Sequence, residues 1–329
     1  MILRRYINRW FLFALETVIV IACLQSTAWA AEENLAEKFL GPRMPYTAFD
    51  QLPATELKVA GATFKIAYAP GELTVAQTTA LDWVRKSAEA IAAYFGRFPV
   101  ASVRILIVPV PADGVHASSW GHRGAAIRVR LNHRATDQEV STSWVMTHEM
   151  VHLAFPEIPD EQMWLDEGLA TYIEPIARAQ LGQLTIEEVW RGFLMGMPKG
   201  LPKAGDQGLD NTHTWGRTYW GGALFCLLAD IDIRQRTKNT KSLRDASWAI
   251  VKQGGNKEHE WPLDRVIEVG DKATGVPVLR ELYERMKAAP VDVDLPALWT
   301  KLGVALEGNS VRFDDSAPLA AVRKAITTP

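Results

Sequence analysis

An α+β fold is the expectation for this chain of 329 residues, and three observations carry it. Alternating or continuously apolar runs suited to strands fall between residues 56 and 132. Helical periodicity takes over after Asn132. No internal repeat, long charge block or Gly/Ser linker breaks the chain into separate pieces. With 48% hydrophobic residues, the chain can bury a sizeable core in one large or two intimate domains.

Residues 1–30 stand apart. Arg4, Arg5 and Arg9 precede an apolar stretch from Phe11 to Leu24, and Ala28-Trp29-Ala30 offers the small residues that a signal peptidase reads. A spanning helix needs about 20 apolar residues; this run is shorter and Glu16 interrupts it, so no stable membrane span is expected. Val20-Ile21-Ala22-Cys23 resembles a bacterial lipobox, the alternative processing signal, which would leave Cys23 carrying a lipid anchor. Both routes imply export, to the periplasm or the cell exterior. The rest divides into residues 31–180, a sheet-plus-helix half, and 181–329, a helical half.

A formal net charge of −2 gives no footprint for a nucleic-acid partner. Of the two cysteines, Cys23 belongs to the leader, so Cys226 stands alone and stability rests on the core.

Along the chain, "ELKVAGATFKIAYA" (56–69) alternates about Gly61 and predicts a hairpin. Leu81, Val84, Ile91 and Phe95 recur at helical spacing within 73–95, and Gly96 and Pro99 supply the stop. "VRILIVPV" (103–110) predicts a strand buried on both faces. "AAIRVRLN" (125–132) predicts an edge strand with one open face, able to pair with an extended peptide. Thr136 and Glu139 form a capping box for a helix that Pro156 closes. Asp160 is placed to cap a second helix, which Pro175 should kink or end. Residues 186–198, 219–236, 242–253 and 275–288 predict further helices.

The chemistry concentrates in "THEMVHLAF" (147–155). His148 and His152, four apart, share one helix face and can ligate one Zn2+. Glu149, one position around the helix, sits beside such an ion as a base for its bound water. A catalytic zinc requires a third protein ligand and an open position. "DEQMWLDEGLATYIEP" (160–175) supplies carboxylates at Asp166 and Glu167 among apolar Trp164, Leu165, Leu169 and Ile173, where an unpaired charge is costly. Glu167 is assigned as the ligand and Asp166 as a partner that orients a histidine N–H; the opposite assignment stays open, as does a solvated role for Asp166.

HEMVH followed by WLDEGLATY resembles the gluzincin metallopeptidases, which include the thermolysin-like, aminopeptidase N-like and glycyl aminopeptidase families. The resemblance runs from about Thr142 to Arg234. It implies a thermolysin-like catalytic domain, a small mixed sheet plus the HExxH helix, followed by an all-helical C-terminal part. It implies zinc on His148, His152 and Glu167, with Glu149 as general base. "RTYWGGALFCLLADIDIR" (217–234) resembles the glycyl aminopeptidase stretch in which a Tyr donates to the oxyanion, and Tyr219 matches it. Gly221 stands where that family has Lys, so the role of that Lys is absent or passes to Arg217. The connection from His152 to Glu167 is shorter than in the aminopeptidase N-like pattern. The G-x-M-E-N stretch that grips a free amino terminus has no counterpart: "SWGHRGAAI" (119–127) carries no carboxylate.

Lesser candidates are His122 and Arg123 as substrate contacts, His213 as an oxyanion donor, and Trp164, Trp215 and Trp220 as cleft walls; each is weighed against a solvated loop or ordinary aromatic packing. Cys226 is expected to be an inert core residue. The expectation is an exported zinc metallopeptidase acting on peptides or proteins. Its alternatives are a catalytically silent protein of the same fold that binds a peptide or glycan, and a zinc hydrolase of a non-peptide bond.

Overall fold

The computed structural model describes residues 38–328; the leader at 1–30, with Cys23, lies outside the described residues. A five-stranded mixed sheet is built from β1 (Ala54–Val59), β2 (Ala62–Tyr68), β3 (Ser102–Val110), β4 (Val115–Trp120) and β5 (Ala126–Asn132) in the order β1-β2-β3-β5-β4. β1 and β2 form the hairpin expected around Gly61, and both turn residues, Ala60 and Gly61, have positive φ (53° and 79°), as tight hairpin turns require. The two central pairings, β2 with β3 and β3 with β5, are parallel.

β3 is buried on both faces, as its unbroken apolar run predicts. Val103, Ile105 and Ile107 join the main core, whereas Leu106, Val108 and Val110 join a smaller core under Phe39, Met44 and Phe49. The 125–132 strand, however, is not an edge. β5 sits between β3 and β4, and the edge is β4, "VHASSW", a short polar segment without a β-branched run. The face expected to be open is covered at Arg128, whose buried guanidinium donates to the carbonyls of Phe39, Gly41 and Arg43, and stays open at Arg130.

On the main-core face lie α1 (Gln77–Phe95), which ends at a left-handed Gly96, then α2 (Asp137–Thr142) and α3 (Val145–His152). The Thr136–Glu139 capping box opens α2 as expected. The helix then breaks at Ser143, whose ψ is 133°. The Thr142 carbonyl accepts from Arg178 and the Ser143 carbonyl from the Trp83 indole instead of from the next turn. The metal motif thus begins a fresh helix, α3, which ends at His152 rather than at Pro156.

Helix α4 (Met163–Gln180) follows a short 3-10 turn at Asp160–Gln162, and no Asp160 side-chain cap forms. Pro175 lies inside α4 without ending it. Its flanks Tyr172, Ile173, Ile176 and Ala177 are fully packed, so tertiary burial outweighs the lost backbone bond. Then come α5 (Ile186–Gly196), α6 (Gly222–Arg236) entered through a π-helical turn at Gly216–Gly221, α7 (Leu243–Lys252), α8 (Leu263–Thr274), α9 (Val278–Met286), α10 (Leu295–Leu302) and α11 (Ala320–Thr327). The remainder is not all-helical. A two-stranded hairpin, β6 (Val304–Glu307) and β7 (Ser310–Phe313), turns through Gly308, whose φ is 61°. Gly-Asn between two alternating runs is a tight-turn signal that the flanking helices obscured. Among the described residues no helix is long and apolar enough to cross a membrane.

One backbone crossing positions the site. A Cβ on Gly168 would lie 2.3 Å from Gly222 Cα, and one on Gly222 would lie 2.0 Å from the Trp164 carbonyl. Helices α4 and α6 therefore touch backbone to backbone immediately after Glu167, which fixes the height of Glu167 over α3.

Candidate metal centre

Helix α3 presents His148 and His152 side by side, with ring centroids 4.9 Å apart. The turn at 153–162 returns the chain so that α4 lies against α3, and Glu167 faces both rings. Its Oε2 is 3.2 Å from His148 Nε2 and 3.5 Å from His152 Nε2. One ligand atom from each of the three residues lies within 4.8 Å of the others. Two imidazoles at 2.0–2.1 Å and a carboxylate on a tetrahedral zinc leave about 3.3 Å between neighbouring ligand atoms. The two observed separations bracket that value, and the donor set of two nitrogens and one oxygen suits Zn2+.

Asp166 turns to the far side of the histidines. Its Oδ1 accepts from His152 Nδ1 at 2.7 Å, which leaves Nε2 of that ring free to face Glu167. Its Oδ2 accepts from Lys257 Nζ at 2.9 Å, and Lys257 also pairs with Glu157 at 2.9 Å. Burial alone would raise the Asp166 pKa, but His152 and Lys257 overcome this and hold the carboxyl below its usual range. Glu167 is likewise driven far below its usual range: burial opposes this, and the His152 and His148 imidazoles prevail.

Glu149 is buried on the cleft wall. Burial raises its pKa against the opposing pull of His152 and His148, and Ser119 of the edge strand β4 bonds its side chain. The Tyr219 ring stacks on His148 with centroids 6.2 Å apart, and its hydroxyl bonds Glu167. Burial first, then Glu167, push its pKa well above 10, so it remains a protonated donor.

These residues line a cleft of about 440 Å³ between β4, α3, α4 and the segment around Lys257, bordered also by Arg130, Glu157, Asp160 and Met163. A second cavity of about 400 Å³ opens on the other side of His148 and Tyr219.

The lesser candidates separate. Trp215 stacks on Tyr219 at 5.9 Å, and both Trp215 and Trp220 wall the second cavity. Trp164 is instead core, its indole donating to Asp210. His122 and Arg123 pack on the ring of Tyr46 and line neither cavity, and His213 is exposed and also lines neither. Arg217 does not reach the site: it is buried, paired with Asp206 at 2.7 Å and donating to the Gly200 carbonyl at 2.6 Å. Gly221 packs against Gly200 and Leu209, with no space for the longer side chain that the resemblance leads one to look for. Cys226 is buried in α6, and burial pushes its thiol pKa up. Sequence reasoning missed Ser119, Trp144 and Lys257. A short polar strand was the only signal for the first, and nothing local marks the last.

No protein-family model and no curated protein matches the sequence. Among solved structures, the chain is similar to the aminopeptidase N family protein of Idiomarina loihiensis, with a TM-score of 0.60 and 15% identity over 78% of this chain and 50% of that one. It is more loosely similar to an M1 zinc metallopeptidase from Deinococcus radiodurans, with a TM-score of 0.46 and 15% identity over 73% of this chain and 51% of that one. The chain therefore spans about half the length of the structures it resembles. What the comparison shows is the fold: over 78% of its length this chain folds like the aminopeptidase N family protein.

Proposed function

We propose that this protein is an exported zinc metallopeptidase that hydrolyses peptide bonds, with His148, His152 and Glu167 holding the metal in a thermolysin-like arrangement. The observation that carries the reading is the placement of one Glu167 oxygen 3.2 and 3.5 Å from two histidine nitrogens on the wall of an open cleft, beside the buried carboxyl of Glu149. Export rests on residues 1–30 alone, and peptides or proteins are the proposed substrates.

Zinc bound there supplies a Lewis acid that polarises the scissile carbonyl and acidifies water. Glu149, on the cleft wall beside the two histidines, takes the proton of the attacking water on its carboxylate and returns it to the departing amine. Tyr219 donates its hydroxyl to the developing oxyanion. Asp166, held by Lys257, fixes the ring of His152. The free edge of β4 offers backbone groups to an extended substrate beside Glu149, the role the sequence suggested for 125–132.

Metal analysis of the purified protein should give close to one zinc per chain, lost in His148→Ala. Digestion of a peptide library by wild type and Glu149→Gln then tests the chemistry: cleavage should fall by about 10²- to 10⁴-fold with zinc retained. Cleavage that survives this substitution removes Glu149 as the base. No cleavage by either form favours the silent binding protein, or a non-peptide substrate.

A further inference from the structure

The second cavity differs from the first in its walls. Trp144, Trp215, Trp220, Phe193, Val189 and Pro175 surround it, and it meets the metal centre at His148 and Tyr219. Trp144 and Trp215 are 51% and 60% exposed, unusually high for large aromatic side chains that flank one opening. The two carboxylates on its wall are already engaged. Glu174 is paired with Arg178 at 2.7 Å, and Glu188 caps its own helix by accepting from the Thr185 backbone N–H at 2.7 Å. Lys199 lies over the rings of Trp215 and Trp220. Glu188 and Lys199 keep their charges at the exposed margin, and the greater part of the wall is aromatic and aliphatic surface.

Two glycines on the face of α5 that meets this cavity make the point sharper. A Cβ on Gly196 would strike the Trp220 ring at 2.0 Å, so packing requires that glycine. A Cβ on Gly192 would meet nothing within 4 Å, although Gly192 lines the cavity. Its φ is not positive, and glycine inside a helix is destabilising relative to alanine. Gly192 is exposed at the margin of the cavity, and glycine there leaves the opening clear where any larger side chain would stand across it.

We propose that this cavity is a side-chain pocket for a bulky apolar residue of the substrate, aromatic by preference, adjoining the scissile bond, and that Gly192 keeps its entrance open. The inference rests on the metallopeptidase reading and gives it a substrate class. An apolar pocket that shares His148 and Tyr219 with the metal centre receives the residue beside the reacting carbonyl, and the flat faces of the Trp side chains favour a ring.

The test uses acetylated, amidated alanine tetrapeptides carrying one Leu, Phe, Trp, Lys or Asp at each position in turn. Zinc-loaded wild type should cleave a Phe or Trp peptide about 10-fold or more faster than the all-alanine peptide, at one position only. In Gly192→Leu that ratio should fall towards about 1, without a lower melting temperature, since leucine is the better helix former. Calorimetric binding of the same peptides to zinc-loaded Glu149→Gln, with and without Gly192→Leu, reads the pocket without turnover. A preference for Lys or Asp, or an aromatic preference untouched by Gly192→Leu, overturns the pocket assignment even if cleavage is vigorous. Selective binding of aromatic peptides that Gly192→Leu abolishes, with no cleavage by wild type, overturns the hydrolytic reading and leaves the pocket standing. Neither cleavage nor binding overturns both.

Discussion

Two buried carboxylate clusters in this protein use similar residues to opposite ends. Around Asp230, in α6, every neighbour is a donor: Tyr172 gives its hydroxyl to Oδ2 at 2.8 Å, while Arg234 Nε and the Leu243 backbone N–H reach Oδ1 at 3.0 and 2.9 Å. Helices α4, α6 and α7 are tied together there, and the cluster is closed. Around Glu167 the neighbours are the Nε2 edges of two imidazoles, the Tyr219 hydroxyl and a second carboxylate, Glu149, all facing a cleft of about 440 Å³. Two imidazoles and two carboxylates converge on open space there with no guanidinium or ammonium of the described residues between them, which is how a site for a cation differs from a structural joint. Asp166 belongs to both kinds at once: closed by His152 and Lys257 on its own side, it holds the open side in register.

The comparison can be broken most forcibly at Asp230. Asp230→Ala strands the buried Arg234 guanidinium and should cost about 3–5 kcal/mol, seen as a lower denaturant midpoint at unchanged slope, with zinc stoichiometry kept in the folded fraction. A variant that keeps its stability but loses zinc would refute the division of labour. Tyr219→Phe should do the reverse: the ring keeps its stacking on His148 and Trp215, and kcat falls by about 10²-fold with little change in denaturant midpoint. Unchanged kcat would remove the oxyanion role.

Lys257→Met sharpens the boundary between the two clusters. As a positioning residue it acts through Asp166 and His152, so the expected signature is zinc affinity weakened by about 10- to 100-fold, measured by competition with a chromogenic chelator and restored in part by Lys257→Arg. Equal zinc affinity in Lys257→Met and wild type would reduce Lys257 to a surface staple of Glu157.

What could be read in the sequence was what local periodicity encodes. The β1–β2 hairpin, the doubly buried β3, the Thr136 capping box and the convergence of His148, His152 and Glu167 follow from spacing within about 30 residues. What could not be read depends on distant packing. β4 takes the edge although "VHASSW" carries little strand signal, because sheet order is decided by which strand β3 pairs with. Pro175 stays inside α4 because burial on both sides outweighs one missing hydrogen bond. Lys257 reaches Asp166 across 91 residues of chain from a glycine-flanked loop with no motif of its own.

The smallest effect sits in the closed cluster and carries a pH signature. Tyr172→Phe removes one donor from Asp230 but keeps the ring stacked on Phe193, so the loss near neutral pH should be about 1 kcal/mol. Burial, reinforced by Asp230 and Tyr94, holds the Tyr172 pKa well above its ordinary value of 10.0 in the folded protein. In the unfolded chain that hydroxyl titrates near 10. A folded pKa raised above the unfolded one means that the stabilisation is complete below about pH 10 and drains away as pH climbs beyond it, because only the unfolded state gains by ionising. Phenylalanine has nothing to ionise. The stability difference between wild type and Tyr172→Phe should therefore stay constant from pH 7 to about 9.5, then shrink by up to about 1.4 kcal/mol per pH unit and change sign within one to two units. The other buried tyrosines, Tyr94 among them, drain both proteins alike and cancel in the difference. A difference that stays flat through pH 11 would show that the Tyr172 hydroxyl is not sealed in the folded state, and the contrast between closed and open clusters would lose its structural half.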